Sequence, residues 1–159
     1  MKLEQMHVNS LLEAAGVETL SVEEESKIGI VVRVVPEQVH ATLLALRDGD
    51  LSFEMLLDTF GADLGAETEL PIEVTYHLRS LGNGIDIRVK TCLPYDGEYH
   101  SVIDIFQSVY LPERELCEMF GLYLEDHPNP KRLLTNPELT TPLRKSVQLR
   151  SKEEIWSRY

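Results

Sequence analysis

Two glutamates and a histidine stand out as groups able to do chemistry. Glu113, Glu115 and His127 lie in the run E-R-E-L-C-E-M-F-G-L-Y-L-E-D-H-P that begins at Glu113. Two carboxylates and an imidazole can act as general acid and base, or as metal ligands. Their spacing speaks against both. On a helix, residues two apart project roughly 200° from each other, so Glu113 and Glu115 cannot share a metal. Nothing in the spacing folds His127 back onto them. The chain has no H-x-x-x-H pair, no G-x-S-x-G elbow and no Gly-rich phosphate loop after a strand. The stretch from Glu113 to Lys145 is therefore either a compact catalytic site or a surface built for a partner protein.

Helix physics accounts for much of this run. Pro112 suits the first helical position, and Glu113 and Glu115 fall in the first turn, where the helix dipole favours anions by about 0.3–1 kcal/mol. Leu116, Met119 and Phe120 form a core stripe, and Gly121 ends the helix. Arg114 and Glu118, four apart, are expected to pair on the polar side for about 0.3 kcal/mol. His127-Pro128 and Asn129-Pro130 make a stiff, extended turn, because proline disfavours helix at the residue before it. His127 is expected as a hydrogen-bonded anchor of that turn. Lys131-Arg132-Leu133-Leu134 and Pro142-Leu143-Arg144-Lys145 then place cations beside apolar anchors. A proline-stiffened segment of this kind loses little entropy when laid on another surface. Arg132 and Arg144 can make bidentate bonds to carboxylates.

The chain of 159 residues suits one domain, and its 43% hydrophobic content is enough for a core. No stretch approaches the roughly 18 apolar residues of a membrane span. Glu4 and Glu13 interrupt any apolar leader, which leads to an expected cytoplasmic location. Cys92 and Cys117, with no C-x-x-C, give no metal knuckle and no disulfide framework; each is expected as a small buried hydrophobe. The net charge of −12 argues against nucleic acid and anionic membrane surfaces. The charge is uneven: residues 1–127 hold 8 Lys/Arg against 24 Asp/Glu, and residues 128–159 hold 7 against 3. Such asymmetry marks either a tail with its own partner or a tail that docks back on its acidic body.

The elements that present the stretch read as follows. Residues 3–15 have helical spacing before Gly16. Ser21 to Ser26 reads as an acidic turn, Lys27 to Val35 as a β-branched strand, and Pro36 as the start of a helix over Glu37 to Arg47. Phe53 to Phe60 reads as a short helix or turn, with loop over 61–67. Ile72 to Ser80 and Ile85 to Leu93 alternate with period two around Leu81-Gly82-Asn83-Gly84, which predicts an antiparallel hairpin with one wet face. Ser101 is expected to cap a short helix or turn. The fold class is α+β: a small mixed sheet with helices on one face and an extended C-terminal tail. The division expected is 1–125 as the α/β domain and 126–159 as a cationic docking tail.

Four linked blocks, E-R-E-L-C-E-M-F-G (113–121), D-H-P (126–128), K-R-L-L-T (131–135) and P-L-R-K (142–145), resemble the signature of the 30-kilodalton subunit family of respiratory complex I, the NuoC type. The likeness covers about residues 25–147 and includes S-V-I-D-I-F ahead of the E-R-E helix. Asp126 stands where the family has Gly, Tyr110-Leu111-Pro112 where it has Trp, and Glu118 where it has Asp. These departures suit a divergent relative of the archaeal deazaflavin-linked dehydrogenase or energy-converting membrane-bound hydrogenase type.

The resemblance implies a non-catalytic peripheral-arm subunit, on the cytoplasmic side of the membrane, in a complex passing electrons to a quinone-type acceptor with ion translocation. It implies no cofactor in this chain, with iron-sulfur clusters and flavin or deazaflavin in partner subunits. The implied partners are the D-like large subunit and the B-like small iron-sulfur subunit. The residues carried over as structural or inter-subunit positions are Glu113, Arg114, Glu115, Phe120, Gly121, His127, Pro128, Arg132, Leu134, Pro142, Leu143, Arg144 and Lys145. A free-standing hydrolase or metal enzyme, and an acidic adaptor without redox connection, are the alternatives.

Overall fold

The computed structural model describes residues 2–25 and 29–147. In chain order these form α1 (Lys2–Ala14), β1 (Thr19–Glu25), β2 (Gly29–Val34), a 3-10 turn (Pro36–Gln38), α2 (Val39–Asp48), β3 (Met55–Asp63), β4 (Ile72–Ser80) and β5 (Ile85–Leu93). There follow β6 (Glu98–His100), a second 3-10 turn (Gln107–Tyr110), α3 (Pro112–Phe120) and β7 (Tyr123–Glu125). The fold is α+β, as the alternation of the hairpin and the flanking helical periods predicts. The sheet runs β1-β2-β5-β4-β3, with β2 parallel to β5 and every other pair antiparallel.

The β4–β5 hairpin is the centre of this sheet. Ile72, Val74, Tyr76 and Leu78 from β4, and Ile87 and Val89 from β5, are buried in one core with Leu12 of α1, Leu43 and Leu46 of α2, and Leu116 and Phe120 of α3. The other face carries charge. Arg33 Nη1 lies 3.1 Å from Glu73 Oε2, and Lys90 Nζ lies 2.8 Å from Glu73 Oε1. A glycine lets α3 lie close on β3: a Cβ at Gly61 would sit 2.7 Å from the Phe120 ring. β6 and β7 pair parallel and tie the segment after α3 back to the domain.

Three local expectations are corrected. Ser21 to Ser26 is not a turn: up to Glu25 it belongs to β1, paired antiparallel with β2, while Ser26 lies outside the described residues, as do Lys27 and Ile28. Its glutamates have poor strand propensity, but pairing with the apolar β2 overrides that preference. Phe53 to Phe60 is neither helix nor turn, and the 61–67 loop begins late, because β3 spans Met55–Asp63. A β-bulge between Leu56 and Asp58 explains the misreading. It places Leu56 opposite Leu78 and Thr59 opposite Tyr76, both facing the core. An inward pair three apart imitates a helical stripe. Ser101 does more than shape a local turn: its hydroxyl accepts Ile103 N–H at 3.2 Å, but also donates to a glutamate of α3.

Candidate functional site

Helix α3 is where the conspicuous residues converge. Pro112 opens it and Gly121 closes it in the left-handed conformation, φ 71°, as the spacing predicts. Glu113 and Glu115 diverge as their helical offset requires: Glu113 is fully buried and Glu115 is exposed. Glu113 accepts Ser101 Oγ–H at 2.5 Å, Val102 N–H at 2.8 Å and, at 3.5 Å, Tyr99 O–H. Tyr76 in turn donates to the Tyr99 hydroxyl at 3.1 Å. Burial raises the Glu113 carboxyl above the usual range, while the donors from Ser101, Val102 and Tyr99 pull against that rise. This is a satisfied polar cluster inside the core, holding the 99–102 strand end to α3.

Arg114 and Glu118 do not pair with each other. Each grips the backbone of the tail instead. Arg114 Nε donates to Lys131 O at 2.8 Å and Nη2 to Arg132 O at 3.1 Å. Glu118 is buried and accepts Leu133 N–H at 2.6 Å, Leu134 N–H at 3.0 Å, Thr135 N–H at 2.6 Å and the Thr135 hydroxyl. Burial alone would raise the Glu118 carboxyl, but the Thr135 hydroxyl and the three N–H donors outweigh it and hold it at about 2. One helical turn thus takes both donors and acceptors from the main chain of residues 131–135.

The rest of the tail is fastened as firmly. His127 accepts Asn129 N–H through Nδ1 at 3.0 Å, so Nε2 carries the proton donated to Tyr110 O at 3.1 Å. His127 is therefore a turn anchor, locked in one tautomer just ahead of Pro128. Arg132 Nη1 donates to Asn136 O at 2.9 Å and closes the next turn on itself. Arg144 caps α3: Nε donates to Phe120 O at 2.6 Å and Nη2 to Gly121 O at 3.2 Å. It also pairs with Asp96 at 2.7 Å and lies 4.6 Å over the Tyr95 ring. Lys145 N–H meets Asp63 at 2.7 Å and Lys145 Nζ meets Leu64 O at 3.0 Å. Burial would raise the Asp63 carboxyl, but the Lys145 N–H, the Tyr95 hydroxyl and the Gly65 N–H outweigh it and the carboxyl falls below its ordinary range.

Of the two outcomes of the charge asymmetry, the described part of the tail takes the second: it docks on its own acidic body. Arg150, Lys152 and Arg158 lie outside the described residues. Leu134, Leu139 and Leu143 face outward, 62%, 47% and 57% exposed. Pro142 is half-buried beside Leu143. The sequence reading missed Tyr95, Asp96, Tyr99 and Ser101 as partners of this stretch, since all are long-range contacts without a local spacing. Among the described residues no group of three or more His, Cys, Asp or Glu is arranged to hold a metal ion, and no helix is long and apolar enough to cross a membrane.

The geometry also identifies Gly121 as intolerant of a side chain. A Cβ there would come within 2.4 Å of Thr141 Cγ2 and 2.7 Å of Arg144 Nη2, at a positive φ. Gly121→Ala is expected to cost about 2 kcal/mol from strain and displaced cap together. Thermal unfolding checks this, and an unchanged midpoint would contradict the cap geometry.

Residues 32–153 match the family model described as respiratory-chain NADH dehydrogenase, 30 Kd subunit. The chain belongs to that family. Its relatives include the C subunit of the NADH-quinone oxidoreductase of Wolbachia sp. subsp. Brugia malayi, 33% identical over 128 residues, covering 79% of this chain and 67% of that one. Another is the fused C/D subunit of the NADH-quinone oxidoreductase of Acidiphilium cryptum, 33% identical over 159 residues, covering 94% of this chain and 27% of the longer one. The fold is shared with a chain in the structure of the membrane-bound sulfane sulfur reductase, an archaeal respiratory membrane complex. There the TM-score is 0.76 at 24% identity, covering 100% of this chain and 92% of that one. Within the 30 kDa subunit family, then, the E-R-E helix of this member is a fastening point for its own tail.

Proposed function

We propose that this chain is a non-catalytic peripheral-arm subunit of a complex I-like oxidoreductase, docked on the cytoplasmic side of the membrane. Its main partner is a D-like large subunit, with a B-like iron-sulfur subunit beside it. Iron-sulfur clusters and flavin or deazaflavin belong to partner subunits, which pass electrons to a quinone-type acceptor with ion translocation. The observation that carries this reading is the fused C/D relative, in which the region matched by this chain shares one polypeptide with the D portion. Such a fusion supports a D-like neighbour for this chain. A second reading, a subunit of an energy-converting assembly of the membrane-bound hydrogenase type, draws on the departures from the family pattern at Asp126, Tyr110-Leu111-Pro112 and Glu118.

The docking surface follows from the tail geometry. Arg114 and Glu118 hold the backbone of residues 131–135, and Arg144 ties the far end of the described tail to the end of α3. Leu134, Leu139 and Leu143 are left exposed, and on this reading they act together as one apolar ridge. Side chains of this size supply the apolar core of an interface better than cations already engaged within the chain. Arg132, Arg144 and Lys145 are so engaged. Co-expression with the large subunit tests this. The wild-type chain is expected to co-purify in equal stoichiometry. Leu134→Ser/Leu139→Ser/Leu143→Ser should lose most of the complex while keeping its fold, and raised salt should weaken the wild-type association little. Full recovery of the complex by the triple variant would remove the ridge from the interface, and failure of the wild type to co-purify would overturn the subunit reading.

A further inference from the structure

The sheet has two edges, and the chain treats them differently. β1 carries Glu23, Glu24 and Glu25 in a row, and such a charge run discourages another strand from adding. β3, the opposite edge, carries Met55, Leu57 and Phe60, between 40% and 44% exposed. An edge with exposed apolar side chains is a hazard unless something covers it. After the bulge, residues 58–63 pair with β4 without interruption, so the run facing outward is regular. Beside it, between β3 and α3, lies a cavity of about 240 Å³ lined by Phe60, Pro112, Met119 and Leu143, with the exposed Asp58 and Glu115 among its walls. The site is thus a strand edge, an apolar recess and two exposed carboxylates, on a body whose residues 1–127 hold 24 Asp/Glu against 8 Lys/Arg.

We propose that the β3 edge is a strand-addition site for an extended segment of a partner polypeptide in which apolar residues alternate with Lys or Arg. Its main chain pairs with residues 58–63, one apolar side chain enters the recess beside Phe60, and its cations meet Asp58 and Glu115. Main-chain pairing supplies affinity and the alternate side chains supply specificity. The acidic body favours a cationic strand over an acidic one. The proposal rests on the reading of the chain as an assembly subunit, but it fails separately: a chain that co-purifies with the large subunit and ignores the peptide below loses only this site.

The test uses two synthetic ten-residue peptides, valine alternating with lysine and valine alternating with glutamate, and hydrogen exchange of the full chain. The cationic peptide at saturation should slow exchange across residues 55–63 by about tenfold or more, and the acidic peptide should not. Asp58→Lys/Glu115→Lys, two exposed changes that leave the core untouched, should reverse the preference. Equal effects of both peptides, protection confined to other elements, or no protection at all would overturn the proposal. Protection that grows with protein concentration in the absence of peptide would make the occupant a second copy of this chain, and would overturn it too.

Discussion

Glu113→Ala should lower the stability of the domain by about 3–5 kcal/mol, a large share of the roughly 5–15 kcal/mol that holds a domain together. The substitution removes a fully buried carboxyl, leaves a cavity, and orphans Val102 N–H and the Ser101 hydroxyl in the interior. Tyr99 loses its acceptor as well. Glu113→Gln separates shape from charge. Its amide oxygen can still accept Val102 N–H, so the loss should be about 1 kcal/mol. The pH dependence has a fixed sign. Burial raises the Glu113 carboxyl in the folded state, so its contribution is fully present below the ordinary carboxylate range and is lost as pH rises through the folded value. The glutamine variant has no such titration. Urea unfolding from about pH 4 to about pH 8 should therefore show the gap between wild type and Glu113→Gln shifting in favour of glutamine. A constant gap would mean that this carboxyl is not linked to folding.

Glu118→Gln should release the tail without unfolding the domain. A carboxylate can accept three backbone N–H groups and a hydroxyl at once; an amide offers one oxygen and turns two donors against donors. The drop of the Glu118 carboxyl from its ordinary value to about 2 means that the attached tail favours the ionised carboxylate. Here the sign is opposite to that of Glu113. The attachment is fully present above the ordinary carboxylate range and is lost as pH falls through the folded value near 2. Hydrogen exchange at Leu133, Leu134 and Thr135 should accelerate by about a hundredfold in Glu118→Gln, with the amides of β4 and β5 unchanged. In the wild type the same amides should accelerate between about pH 5 and about pH 2, beyond the intrinsic effect of pH on exchange. If β4 and β5 accelerate in step with the tail, the clamp is part of the global fold and not a separable fastening.

The contrast between these two glutamates shows what the sequence can and cannot disclose. Their helix was legible: Pro112, the Leu116 and Phe120 stripe and Gly121 mark its start, face and end. The hairpin of β4 and β5 was legible for the same reason, since period-two alternation is a local property. β3 was hidden because its bulge put Leu56 and Thr59 on one face at helical spacing. β1 was hidden because Glu23, Glu24 and Glu25 disfavour a strand that only β2 stabilises. The partners of α3 were hidden because they arrive from elsewhere. Glu118 meets Thr135 seventeen residues on, and Arg144 meets Asp96 forty-eight residues back. Helical spacing placed Arg114 beside Glu118, but tail backbone groups outcompete a surface ion pair worth only a few tenths of a kcal/mol. The charge split between body and tail was visible in composition, whereas the fold-back of the described tail required the structure.

Helix α3 acts as a clamp that sets the described tail in place; on the proposed reading, Leu134, Leu139 and Leu143 then meet the large subunit. The affinity of the purified chain for that subunit measures this directly. Glu118 is buried and holds the backbone of Leu133, Leu134 and Thr135, so its replacement alters the presentation of the ridge and not the contact itself. Glu118→Gln is predicted to weaken the association by about tenfold, which is about 1.4 kcal/mol, and Leu134→Ser/Leu139→Ser/Leu143→Ser by more. Wild-type affinity in both variants would contradict the clamp.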